Sequence, residues 1–420
     1  VGSRMGLNRR LALVLAATFV LAGSLCGQDM RMDDSTSRFM LGASAIPLGT
    51  VASPGAAGRT LAEGYLTQPM LMAIVAVPRE RFTADLTLDL EGMTLRRGEL
   101  NAGVYGEGYV DRRHPHTYLH QLVGTGTFGG GMSRFSVTVG KGFVPFGTDD
   151  PMSRPFVKYP VNHHLAQILE RAMIVGAVAT GPLTLEGSTF GGDEPESPSD
   201  MPNWNRFGGS WSARLTGRHP SGIEAQASIA HVTSPEQPHG GGLDHRKLST
   251  SVRFENNGKY LLAEWARTRE MENGVTAFSF SSFLSEGSIA IKSFSFSARV
   301  ERTERPEEER TANVFRTPRP HSDLSILGRT RWNVLTGDVA RNFAFRKLNV
   351  APFIEIATQV PHSILIPSAF DPESFYGASR LWSYSIGARI GIGMNHARMG
   401  RYGVAAAAGT QAMAHDMEDM

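Results

Sequence analysis

Over most of its length the chain alternates apolar and polar residues one by one. Between 82 and 91, Phe82, Ala84, Leu86, Leu88 and Leu90 fall on one side, and Thr83, Asp85, Thr87, Asp89 and Glu91 on the other. Successive side chains of a strand point to opposite faces, so this period predicts strands with one greasy and one wet face. The pattern recurs in 288–303, where Phe294, Phe296, Ala298 and Val300 alternate with Ser293, Ser295, Ser297, Arg299 and Glu301. It recurs again in 379–395, where Trp382, Tyr384, Ile386, Ala388, Ile390 and Ile392 alternate with Ser383, Ser385, Gly387, Arg389 and Gly391. Further strands are predicted at 70–77, 99–110, 117–128, 132–143, 172–181, 183–190, 207–218, 222–233, 245–256, 259–271, 275–285, 324–341, 347–359 and 400–410. Turn signals such as Gly181-Pro182 and Asn257-Gly258 separate them, the latter suiting a hairpin turn with two positive φ angles.

Such a succession predicts an all-β fold, a transmembrane antiparallel β-barrel of about 14 to 16 strands with lipid outside and a polar lumen within. A soluble sandwich or solenoid with one packed face would show the same period. The amino terminus favours the membrane: Arg9 and Arg10 precede an apolar run from Leu11 to Leu25, then Cys26, Gly27 and Gln28, the layout of a cleaved export signal. The expected organisation is a signal peptide at 1–28, with Val1 to Arg4 as an upstream artefact, a partly mobile segment at 29–68, the barrel at 69–411 and a Met/His/acidic tail at 412–420. Trp382, Tyr384, Trp332, Trp265 and Tyr260 are candidates for interfacial girdles. The lone cysteine, Cys26, falls in the signal, so no disulfide is expected.

Long polar connections interrupt the meander at 144–171, 193–206, 234–244, 303–323 and 360–378. Short turns alternating with long loops suit an outer-membrane barrel. Prolines and a short helical stretch from His163 to Arg171 set 144–171 apart; it either folds into the lumen and constricts it or caps the barrel outside. Glycine, at 46 of 420 residues, is above the usual share of about 7%. The balance of 42 basic and 40 acidic residues lacks the basic excess of a nucleic-acid binder.

The segment Asp111-Arg112-Arg113-His114-Pro115-His116 resembles the Asp-Arg-x-His-Pro-His signature of a poorly characterised family of Gram-negative outer-membrane proteins, and the resemblance extends through 147–155, His163-His164 and the acidic loop at Asp193 to Glu196. It spans roughly residues 65–270 and implies a porin-like architecture; some members accompany copper or other heavy-metal handling. The closing residues Met413 to Met420 depart from the terminal aromatic strand usual in outer-membrane barrels.

Candidate chemistry lies in the histidines. His114 and His116 share a face of an extended segment, His120 joins them if the strand continues, and imidazoles so spaced can ligate zinc or copper, with His163, His164, Asp149 and Asp150 completing a shell. The competing reading has His114 and His116 pinning loop backbone at the rim. Met30, Met32, Met413, His415, Met417 and Met420 sit among acids at the two ends, a donor mix that suits copper, although such tails are commonly solvated and disordered. Asn162-His163 and Asn395-His396 beside many serines do not amount to a hydrolase, since no nucleophile elbow occurs; nor does a P-loop, dinucleotide fingerprint or CxxC pair.

These readings together predict a non-enzymatic outer-membrane channel for small polar solutes or ions, without a cofactor, embedded in outer-membrane lipid and monomeric or homo-trimeric. Asp85, Asp89, Arg134, Arg299, Arg329, Arg331 and Glu355 are its expected pore-lining charges. The alternative is a copper- or zinc-binding, metal-efflux-associated barrel using His114, His116, His120, His163 and His164.

Overall fold

The computed structural model describes residues 38–406, with interruptions at 56–57, 78–80, 96–99, 102–103, 106–115, 132, 149, 203, 205, 238–239, 308–327, 365–369 and 394–397. Sixteen antiparallel strands form one closed barrel. In chain order they are β1 (Arg38–Ser53), β2 (Leu61–Ala76), β3 (Phe82–Asp89), β4 (Leu119–Gly130), β5 (Ser133–Gly142), β6 (Arg171–Thr180), β7 (Leu183–Phe190), β8 (Ser210–Arg218), β9 (Ile223–Val232), β10 (Asp244–Asn256), β11 (Lys259–Glu272), β12 (Val275–Ile291), β13 (Phe294–Glu307), β14 (Gly328–Arg341), β15 (Leu348–Ser363) and β16 (Leu381–Gly393). Each pairs with its sequence neighbours, and β1 closes on β16 through pairs from Gly42–Gly393 to Ser53–Trp382. Closure removes every sheet edge, which a lipid environment requires because it offers no water to unpaired backbone groups.

The two faces of the wall invert the soluble pattern. On β13, Val300 is 53% exposed and Phe296 43%, whereas Arg299 and Glu301, on either side of Val300, are 2% exposed each. Leu335, Ile354 and Ile386 likewise face out while Thr336, Glu355 and Ser385 face in. A large exposed apolar belt around a polar interior is stable only against hydrocarbon, so the outer face is the lipid face.

Tight turns gather at one end, the turn end. Asn257 and Gly258 there adopt φ of 49° and 68°, the positive pair that a two-residue hairpin requires. The connections β1–β2, β3–β4, β5–β6, β7–β8, β9–β10, β13–β14 and β15–β16 are long and leave the opposite, loop end; β11–β12, joined through Asn273-Gly274, is the short connection there.

Several expectations need correction. The barrel begins at Arg38 rather than at 69, because β1 and the first half of β2 lie in the segment read as partly mobile. The described part of 99–110 is no wall strand but a small separate hairpin pairing Leu100–Asn101 with Val104–Tyr105. Nor do the described residues of 400–410 form a strand, since Gly403–Ala405 is a 3-10 turn. Trp332 is fully buried inside and Tyr260 hydrogen-bonds Glu286 across the lumen face, so neither belongs to a girdle; Trp265, Trp382 and Tyr384 do face outward. The signal region, His114, Asp149 and the tail at 412–420 lie outside the described residues.

Candidate functional site

The lumen is crossed by the β5–β6 connection, residues 143–170, called the insert. Almost all its described residues are buried, which settles its placement inside the barrel rather than as an outer cap. An irregular segment buried in this way must find partners for its backbone groups, and the wall supplies them. Glu355 of β15 accepts from the amides of Val157 (2.7 Å) and Lys158 (3.2 Å), and Glu301 of β13 accepts from Val161 (2.8 Å). Arg299 of β13 donates to the Lys158 carbonyl (3.0 Å) while its guanidinium lies 4.5 Å from the Phe156 ring centre, and Arg389 of β16 donates to the Pro155 carbonyl (2.6 Å). Across the barrel, the Ser228 hydroxyl of β9 accepts from the Gly147 amide at 2.9 Å, and Ser212 of β8 donates to the Pro145 carbonyl at 3.1 Å.

The charged side chain of Arg154 in the insert is paired as well. Arg154 lies between Glu264 of β11 (3.4 Å) and Glu286 of β12 (3.7 Å). Burial would lower its pKa, but the two carboxylates lift it above the ordinary arginine value, so the guanidinium stays charged. Thr148 also donates to Glu264, whose other oxygen accepts from the Asn162 amide at 2.9 Å; Asn162 thus anchors the insert and forms no hydrolytic pair with His163.

Apolar side chains complete the docking. Val144, Phe146 and Ile168 pack with Val123, Met173, Val175 and Phe190 of the wall; Leu165 and Ala166 pack with Ala266 and Phe280. Met70 of β2 meets Met152 and Tyr159. Where these apolar side chains of the insert meet the wall, the inward residues are apolar too.

A second segment, 398–406, follows β16 and enters from the turn end. Arg214 of β8, itself paired with Glu186 at 2.7 Å, donates to the Gly400 carbonyl at 2.5 Å, and Arg218 donates to the Ala405 carbonyl at 2.7 Å. Glu224 of β9 accepts from Arg398 (2.7 Å) and Arg401 (2.9 Å), and the Tyr402 hydroxyl donates to the Phe143 carbonyl at 2.9 Å.

The expected pore-lining charges separate into three groups. Asp85, Asp89, Arg299 and Glu355 share the inward face, but Arg299 and Glu355 are committed to holding the insert. Arg134 has inward parity yet stands exposed beside the β4–β5 turn. Arg329 and Arg331 do not line the lumen: they share the outward parity of Leu335 and Val339, and Arg331 pairs with Glu304 at 2.7 Å on the outer surface. Along Gly328–Arg341 the even-numbered residues face inside, so charge alone is no guide to the placement of these two.

Of the proposed histidines, His116 and His120 meet, with ring centres 5.0 Å apart. His163 stands aside behind Tyr159 and directs Nδ1 to the Pro160 carbonyl at 3.0 Å. Asp89 and Glu170 complete the surroundings of the pair: His116 Nδ1 is 3.6 Å from Asp89 and His120 Nδ1 is 2.8 Å from Glu170. Burial would raise the Glu170 pKa, but His120 and Lys141 hold it well below the carboxylate range.

No family model matches the chain, and no curated protein matches it. Solved structures do. An anion-selective porin from Comamonas acidovorans is similar over 85% of this chain and 100% of its own, at TM-score 0.51 and 10% identity. OmpT, an outer membrane protein of Vibrio cholerae, in its trimer form, is similar over 86% of this chain and 100% of its own, at TM-score 0.50 and 6% identity. At such identities the likeness is one of fold, and the fold is that of the porins: a sixteen-strand transmembrane β-barrel.

Proposed function

We propose that the protein is an outer-membrane channel through which small polar solutes or ions diffuse, with the insert setting its width. The observation that carries this reading is the insert itself, held inside a closed barrel by wall carboxylates and arginines. A wall that serves only as an anchor needs a lipid-facing exterior; it has no use for a lumen lined by Asp85, Glu186, Lys247, Glu270 and Asp338. Fixed charges around a narrow wet path select what enters. The fold shared with an anion-selective porin supports a passive channel, and the trimer form of the Vibrio protein supports assembly of three copies. The turn end, which carries both chain ends of the barrel, is placed on the periplasmic side, following the general pattern of short periplasmic turns and long external loops.

Liposome swelling tests the reading. Vesicles containing the refolded protein should swell quickly with a small sugar or amino acid and progressively more slowly with larger solutes. Vesicles that behave like protein-free ones with every solute would remove the channel reading.

A further inference from the structure

At the loop end of the lumen lies a buried cluster that passive diffusion does not call for. Asp89, His116 and His120 each present a ligand atom, and the three atoms lie within 4.8 Å of one another. The chain makes a specific arrangement to place them. His120 is the extra residue of a β-bulge: Gln121 opposes Thr87 and Leu119 opposes Leu88, leaving His120 without a cross-strand partner and fully buried. Bulges re-aim side chains in this manner beside functional sites.

The hydrogen bonding around the cluster leaves buried atoms of Asp89 and His120 without partners. His120 turns Nδ1 to Glu170 at 2.8 Å, and Glu170 is itself held by the Thr117 amide (3.1 Å) and by Lys141 (2.9 Å). In the neutral ring with Nδ1–H donating to that carboxylate, the lone pair lies on Nε2, which is buried with no hydrogen-bond partner. A carboxylate behind an imidazole is the usual outer partner of a metal-binding histidine. Asp89 spends Oδ1 on the Glu91 amide (2.8 Å), while Oδ2 has no hydrogen bond and stands 3.6 Å from His116 Nδ1, beyond hydrogen-bond range. From the insert, Asp150 uses Oδ1 for the Met152 amide and buries Oδ2 without a partner. Buried polar atoms left this way are costly unless something fills the site.

We propose that Asp89, His116 and His120 bind one divalent transition-metal ion, with Zn²⁺ the best match to two imidazoles and a carboxylate. Through Glu170, the last residue of the insert, which holds His120 at 2.8 Å, the ion would tie the wall at β3 and β4 to the insert and so lock the constriction in place. The site does not depend on conduction: it stands or falls separately from the channel reading.

The test uses the full-length refolded protein, stripped with chelator and titrated with zinc chloride by calorimetry, folding being judged by heat-modifiable mobility. The expected result is one zinc per barrel. Glu170→Gln, which keeps every ligand, should weaken binding roughly 10-fold to 100-fold, and His120→Gln should abolish it. A triple His114→Gln, His163→Gln, His164→Gln variant should bind as the parent does, which keeps the test decisive even where the cluster variants do not fold. No zinc uptake by the parent, uptake undiminished in folded His120→Gln, or loss of uptake in the triple variant would each overturn the proposal.

Discussion

The two irregular segments inside the barrel are held by contrasting chemistry. The insert is gripped through amides and carbonyls alike: Glu301, Glu355 and Ser228 accept from its amides, while Arg299, Arg389, Arg214 and Ser212 donate to its carbonyls. The 398–406 segment is gripped by arginines at the carbonyls of Gly400 and Ala405, while its own Arg398 and Arg401 reach back to Glu224. The difference shows what a charged lumen can be for. Charges that look like selectivity filters in a sequence are first of all partners for backbone groups that neither sheet nor water satisfies. Polarity of the wall thus follows polarity of the segment facing it.

Removing one of the two segments breaks the comparison most severely. Replacing 145–168 by a short linker should leave the barrel closed, because strand pairing does not use the insert, and should raise single-channel conductance severalfold; unchanged conductance would mean that the insert does not limit the path. Next in size, Glu355→Ala strips acceptors from two buried amides. At about 1–3 kcal/mol per unsatisfied group, the unfolding midpoint in urea should fall and the open-channel current should become noisier. Glu224→Gln should do less, since glutamine keeps an oxygen that can accept from the buried Arg401, and its other partners, Arg218 and Arg398, are partly exposed; faster proteolysis within 398–406 would be its signature. Arg331→Gln should be nearly silent. Its pair with Glu304 is partly exposed on the outer surface, where such pairs contribute about 0–1 kcal/mol, and reversal potential in a salt gradient should not move.

The wall was legible because its physics is periodic. Phe294 to Glu301 or Leu381 to Gly391 name their faces without help from the fold. The insert was only half legible: its prolines marked it as unusual, but which way it turned depends on carboxylates more than a hundred residues away, such as Glu301 and Glu355. A signal was nevertheless present. In 70–77 and 172–181 the alternation gives way to nearly continuous apolar sequence, which is what a strand covered on both faces requires, and Met70, Met173 and Val175 are the inward residues on which the insert rests. Failed alternation therefore pointed to where the lumen is filled. The His116–His120 encounter was partly readable from spacing, but the bulge that turns His120 inward and the approach of Asp89 and Glu170 are products of register and tertiary packing. Arg329 and Arg331 were misplaced because charge was weighed above parity.

The most direct test of the account is single-channel recording of the refolded protein in a planar lipid bilayer. Small, stable open steps, enlarged when residues 145–168 are removed, are the predicted result. A correctly folded barrel that stays silent both with and without the insert would contradict it.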